Sequence, residues 1–207
     1  MSTLLVDTLG VTSGNAILAR APNVFYWPGA HVQTVFNLCE TRAYYYVPNN
    51  DGGQRANYGP NYSRQGGVPI RQLDITIAPT SNRSWIQLEF NMFYETHWNV
   101  IFNVLRDGQL ISSPNIVDQQ GTNTTGRWVG AGVSRYDNNN DSTPSYIQLN
   151  WMDQPGTIEP VTYSIAAISA GASEFGFTLN CTLANYQFGG DAYEQGVSFT
   201  IANEIAR

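Results

Sequence analysis

Residues 84–111 read SWIQLEFNMFYETHWNVIFNVLRDGQLI. Ile86, Leu88, Phe90 and Met92 alternate with Gln87, Glu89 and Asn91. After an interruption at Tyr94, Glu95 and Thr96, Trp98, Val100, Phe102 and Val104 alternate with Asn99, Ile101 and Asn103. Successive side chains on a strand point to opposite faces, so period two over two runs means two strands, each burying one face. A slip of one residue would turn the apolar set to water, which fixes the register. Asp107-Gly108 supplies the two positive-φ positions of a type I′ turn. A third short strand, Gln109 to Ile111, therefore folds back on the second. The three are expected to form an antiparallel meander at the centre of an all-β, antiparallel β-sandwich.

Outward from this centre, Leu73, Ile75 and Ile77 alternate with Asp74 and Thr76, and Ala78-Pro-Thr-Ser-Asn82 turns that strand into the next. His31 to Cys39 (HVQTVFNLC) reads as a strand in which Val35 and Phe36 cross the alternation, and Tyr44 to Val47 continues it. Between them and Leu73, the segment from Pro48 to Gly67 is rich in Asn, Gly, Pro, Tyr, Arg and Gln. It is longer than connections in compact domains usually are, which marks it for function or contact. Pro22 to Gly29 is an aromatic link carrying Phe25, Tyr26 and Trp27. Residues 1–28 are read as an N-terminal arm, docked through Leu4, Leu5, Val6 and Leu9, and residues 29–207 as the sandwich domain.

On the C-terminal side, Ser112 to Thr125 and Asp137 to Asp141 are loops. Strands follow at Arg127–Val133, Tyr146–Trp151, Val161–Ile168 and Gly176–Leu183. The last strand alternates Val197, Phe199 and Ile201 with Ser198 and Thr200. Eight to ten strands with regular turn signals suit a sandwich, and no segment carries a helical period.

The 207 residues are long enough for one domain with a substantial core. Charged residues make up 13%, about half the usual share of a globular domain. Neutral polar residues and tyrosine fill the gap, so part of the surface is expected to be covered by neighbouring subunits. All ten basic residues are arginine, a side chain suited to interfaces. A net charge of −6 without a basic run argues against nucleic acid, whose phosphates demand a positive footprint. No apolar run is long enough to cross a bilayer.

The chemistry-bearing residues are sparse. Cys39 and Cys181 are read as buried free thiols, with pairing left open. His31 and His97 stand in no metal-binding spacing. Asp137, Asn139 and Asp141 have alternate calcium-loop spacing, but Ser142 stands where glycine belongs and Gln148 where the closing Glu belongs. No metal, no cofactor and no catalytic residues are expected. Glu89, Glu95 and Glu174 remain as loose carboxylates for a polysaccharide hydrolase, without a local signature. The tyrosine-rich region gives a stronger signal. Tyr44, Tyr45, Tyr46, Tyr58 and Tyr62, with Arg42, Arg55 and Arg64, are of the types enriched at binding hot spots. Their plainer role is amphipathic cover over the sandwich edge.

The order of several motifs resembles a family. The opening MSTLLVDTLGVTSGNAI is followed by PGAHVQTV, DITIAPTSNRS, WIQLEFNM, FNVLRDGQLI, YSIAAISAG and the closing SFTIANEIA. This succession resembles small virion proteins of tailed phages, which serve as capsid-decoration (cement) or tail-fibre components. Those are similar to tumour-necrosis-factor-like jelly rolls that assemble as trimers. The resemblance implies a non-enzymatic virion structural protein with a jelly-roll fold. It would be a homotrimer assembled in the host cytoplasm and placed on the virion surface, where it contacts the major capsid protein or other virion proteins. The alternative it implies is a tail-fibre or receptor-binding tip that recognises a host surface glycan. The expected contact residues are Leu4, Leu5, Val6, Leu9, Tyr44, Tyr45, Tyr46, Tyr58, Tyr62, Arg55 and Arg64.

Overall fold

The computed structural model describes residues 18–20, 24–26, 28–47, 67–96, 100–112, 131–134, 143–169, 175–183 and 194–207. In chain order the strands are β1 (Leu18–Arg20), β2 (Val24–Tyr26), β3 (His31–Cys39), β4 (Ala43–Val47), β5 (Val68–Pro69) and β6 (Ile75–Ile77). Then come β7 (Trp85–Glu95), β8 (Val100–Arg106), β9 (Gln109–Leu110), β10 (Gly132–Val133) and β11 (Ser145–Asp153). β12 (Val161–Ser169), β13 (Phe175–Leu179) and β14 (Ser198–Ile205) complete the set. Among the described residues one 3₁₀ turn, Arg71–Leu73, precedes β6.

Two antiparallel sheets face each other, each four strands wide. In the first, β7 pairs with β11 along one edge and with β14 and then β13 along the other. β3 and β4 lie outside β14 and β13, end to end. In the second, β12 and β8 are central, with β5 and β6 beyond β12, and β9 and β10 beyond β8. The chain passes from β6 in the second sheet to β7 in the first and β8 in the second. It later passes from β11 in the first to β12 in the second and β14 in the first. This crossing between two packed antiparallel sheets is that of an all-β sandwich. β1 and β2 form a separate two-stranded ribbon, so part of the expected aromatic link is a strand.

The Asp107-Gly108 hairpin forms as expected: both residues have positive φ, 49° and 78°, and Leu110 pairs with Leu105. The expected meander does not form, because β7 and β8 lie in different sheets. Alternation tells a strand which side to bury; it does not tell whether the next strand lies beside it or opposite it. β8 also departs from one-face burial. Ile101, Asn103 and Leu105 are buried along with Val100, Phe102 and Val104. Leu73 belongs to the 3₁₀ turn rather than to β6, yet is as buried as Ile75 and Ile77. β13 is shorter than expected, since Asn180 takes φ 62° and Cys181 makes only an isolated bridge to Gln195.

The core fills the space between the sheets. Ile86, Leu88, Phe90, Met92 and Tyr94 descend from β7 onto Phe102 and Val104 of β8 and Tyr163 and Ile165 of β12. Phe102 meets Tyr94 and Phe177 edge-on across the layers, with centroids 5.5 and 6.3 Å away. Tyr45 stacks on Phe177 at 5.0 Å. A polar clasp closes one side of the sandwich. Arg106 of β8 donates to both carboxylate oxygens of Asp153 of β11, and the Tyr163 hydroxyl donates to the same carboxylate at 2.7 Å.

Candidate functional site

β14 turns its apolar alternation outward, and β3, whose facing the sequence left open, turns Phe36 and Leu38 outward beside it. Ser198, Thr200, Ala202 and Glu204 of β14 are fully buried, while Phe199, Ile201 and Ile205 point outward and are only half-buried. On β3 the outward residues are Thr34, Phe36 and Leu38; Phe36 is 56% exposed and Leu38 49%. This facing follows from where the polar groups find partners. The Thr200 hydroxyl donates to the Leu73 carbonyl, and the Asn37 amide donates to the carbonyls of Gln72 and Asp74. The Ser198 hydroxyl accepts the Phe93 N–H and donates to Asn180. These small polar side chains hold the 3₁₀ turn and the end of β13, so they belong inside.

Glu204 anchors the same network. Its buried carboxylate accepts from Gln33 Nε2, the Thr80 N–H and hydroxyl, and the Ser84 hydroxyl, at 2.5–2.8 Å. Burial pushes its pKa up, but the bonds from Ser84, Thr80 and Gln33 outweigh burial and hold it below the ordinary carboxylate value. Glu95 is likewise buried, accepting the backbone N–H groups of Thr143 and Leu183. Glu89 lies on the same strand face six residues away, about 20 Å along the strand. Paired carboxylates of a glycosidase stand about 5–9.5 Å apart, so these two do not form such a pair.

The consequence is an outward face on the first sheet with two unlike halves. Cross-strand register sets Leu38, Phe199, Asn91 and Gln148 in one row. Phe36, Ile201, Glu89 and Asn150 form the next, and Thr34, Asn203, Gln87 and Met152 a third. The β3–β14 half is apolar, with the Phe36 and Phe199 rings 5.7 Å apart and exposed Val197 beyond them. The β7–β11 half is made of amides and one carboxylate, with Phe93 and exposed Tyr146 at one end and exposed Met152 at the other. Tyr44 and Tyr46 extend the exposed face along β4, where a β-carbon at Gly176 would overlap the Tyr44 ring.

Of the expected contact residues, Tyr44 and Tyr46 lie on this face. Tyr45 points to the opposite side of β4, packs against the core and donates its hydroxyl to Gln72 Oε1. Leu4, Leu5, Val6, Leu9, Arg55, Tyr58, Tyr62 and Arg64 lie outside the described residues, as do His97, Glu174 and the Asp137–Asp141 loop. Cys39 and Cys181 are buried free thiols, and burial pushes the Cys181 thiol up. Among the described residues, no three His, Cys, Asp or Glu side chains converge as a metal site. Phe36, Leu38, Phe199 and Ile201 escaped the sequence reading. The only local sign was the broken alternation of HVQTVFNLC, and nothing in SFTIANEI distinguishes an inward from an outward Phe199. No protein-family model matches the chain, and no curated protein matches it.

Proposed function

We propose that this chain is a non-enzymatic structural subunit of a tailed-phage particle. In this reading it is a homotrimeric capsid-decoration (cement) protein, and copies meet through the apolar half of the first sheet's outward face. One observation carries the assembly: β3 and β14 turn Phe36, Leu38, Phe199 and Ile201 to the outside. A lone soluble domain rarely presents so continuous an apolar strip. Two strands at ~4.8 Å and eight residues at ~3.3 Å give an apolar centre of about 250 Å². The rest of the ~800 Å² of accessible surface that a stable interface uses per partner falls to its polar rim and flanking loops. The low charge of the chain and its lack of lysine support permanent coverage. The particle, the three-fold state and the capsid partner rest on the motif order from PGAHVQTV to SFTIANEIA and its resemblance to phage virion proteins. Contact with several shell subunits at once would let modest individual contacts sum through avidity.

Sedimentation of the purified chain tests the assembly. The parent is expected to sediment as a trimer, and Phe36→Glu or Ile201→Glu as a folded monomer, since each places a charge in the apolar strip. A parent that stays monomeric at micromolar concentration refutes the reading. Particles lacking the protein are expected to lose heat or salt resistance; unchanged particles would rule out the cement role.

A further inference from the structure

We propose that the β7–β11 half of the same face is a binding strip for a neutral oligosaccharide. Gln87, Glu89 and Asn91 of β7 stand beside Met152, Asn150 and Gln148 of β11 in register. Five of these six carry planar amide or carboxylate groups, and none of the five makes a side-chain hydrogen bond among the described residues. The Asn91 side chain is only 4% exposed, yet its Nδ2 has no partner. Among the described residues the one other buried donor without a partner is the Thr143 hydroxyl, and an unpaired amide on the strand that forms this strip calls for an acceptor.

The ligand class follows from the groups. An amide donates and accepts in one plane, which matches the vicinal hydroxyls of a pyranose. Aromatic rings receive the apolar C–H face of a sugar, and Phe93 and Tyr146 close one end of the strip. At the other end an open cleft of about 320 Å³ is lined by Gln87, Asn150, Trp151 and Met152. From Tyr146 to Met152 the strip runs about 20 Å, room for a short linear chain of sugars. No arginine stands among the outward residues of β7 and β11, and Glu89 is the one charge in the middle of the strip. Sialylated and sulfated sugars are therefore disfavoured. A second copy of the chain is the rival occupant, but subunit interfaces concentrate apolar residues at their centre. That description fits the β3–β14 half instead.

Isothermal titration of the full-length assembled protein tests the proposal. The probes are linear neutral hexasaccharides of glucose, mannose, galactose and xylose, with sialyllactose and a sulfated galactan as anionic comparators. Gln148→Ala and Asn150→Ala change exposed side chains and leave the core untouched. At least one neutral sugar is expected to bind the parent, and each variant to bind it about tenfold more weakly. Sedimentation and melting are expected to stay as in the parent. The proposal is overturned if no neutral sugar binds, if both variants bind as the parent does, or if the anionic sugars bind more tightly. It is also overturned if the variants dissociate the assembly, which would assign the strip to the contact between copies. The parent's own sedimentation reports self-assembly separately from the sugar result.

Discussion

Glu204 shows how one residue sets the facing of a strand. A carboxylate holding four hydrogen bonds at the sandwich edge cannot turn to water without releasing Gln33, Thr80 and Ser84, so Phe199 and Ile201 go outward. Its folded pKa lies below the unfolded value. The stabilisation is therefore present above about pH 4.3, the ordinary Glu value, and is lost as pH falls through the lower folded pKa. Glu204→Gln is expected to cost about 2–4 kcal/mol at neutral pH in urea denaturation. The gap between variant and parent is expected to narrow as the buffer is taken below the folded pKa. The buried phenols act at the other end of the scale. Burial above all pushes Tyr45 and Tyr94 up to about 12 from 10.0, and pushes Tyr163 up as well. The folded state resists ionising them, so stability is full below about pH 10 and falls as pH rises towards 12. A spectrophotometric titration is expected to show exposed tyrosines ionising first and a delayed group released on unfolding.

At the scale of elements, the hairpin between β8 and β9 was fully legible, because Asp-Gly carries its own backbone preference. Gly108 has φ 78° and open space around a would-be β-carbon. Gly108→Ala therefore costs only backbone strain, about 1 kcal/mol, and amide exchange in β9 is expected to quicken. β7, β11 and β12 were legible because their inward rows are large and apolar. β3 was legible in extent but not in facing. β14 was misread in facing for a different reason. Its inward row is Ser198, Thr200, Ala202 and Glu204, which alternation alone assigns to solvent. The partners that make this row an interior, the Leu73 carbonyl, Asn180 and the Thr80–Ser84 turn, come from other parts of the chain.

At the scale of the molecule, the two sheets are held by apolar contact across the layers and by the Arg106–Asp153–Tyr163 clasp at one side. Phe102 sits where the layers meet, against Tyr94 and Phe177. Phe102→Ala is expected to lower stability by about 3–5 kcal/mol in denaturant melts, the usual cost of an aromatic-sized cavity. Phe36→Glu should leave that stability nearly unchanged if measured on separated subunits, since Phe36 contributes to no core contact across the layers. The contrast separates the side chains that hold one sandwich together from those offered to another. Of the candidate face, Tyr44 and Tyr46 were anticipated from their residue type. The apolar strip and the amide strip were not, because each is assembled from strands distant in sequence.

The sequence by itself determined that the chain is built of strands, where most of them lie, and that Asp107-Gly108 reverses the chain. These follow from side-chain alternation and from backbone preferences, both of which act between near neighbours. Only the tertiary structure decided which runs share a sheet and which side of β3 and β14 faces the core. Alternation is symmetric about the plane of a sheet. The asymmetry comes from hydrogen-bond partners and packing surfaces that reach a strand only once the remainder of the chain has wrapped around it.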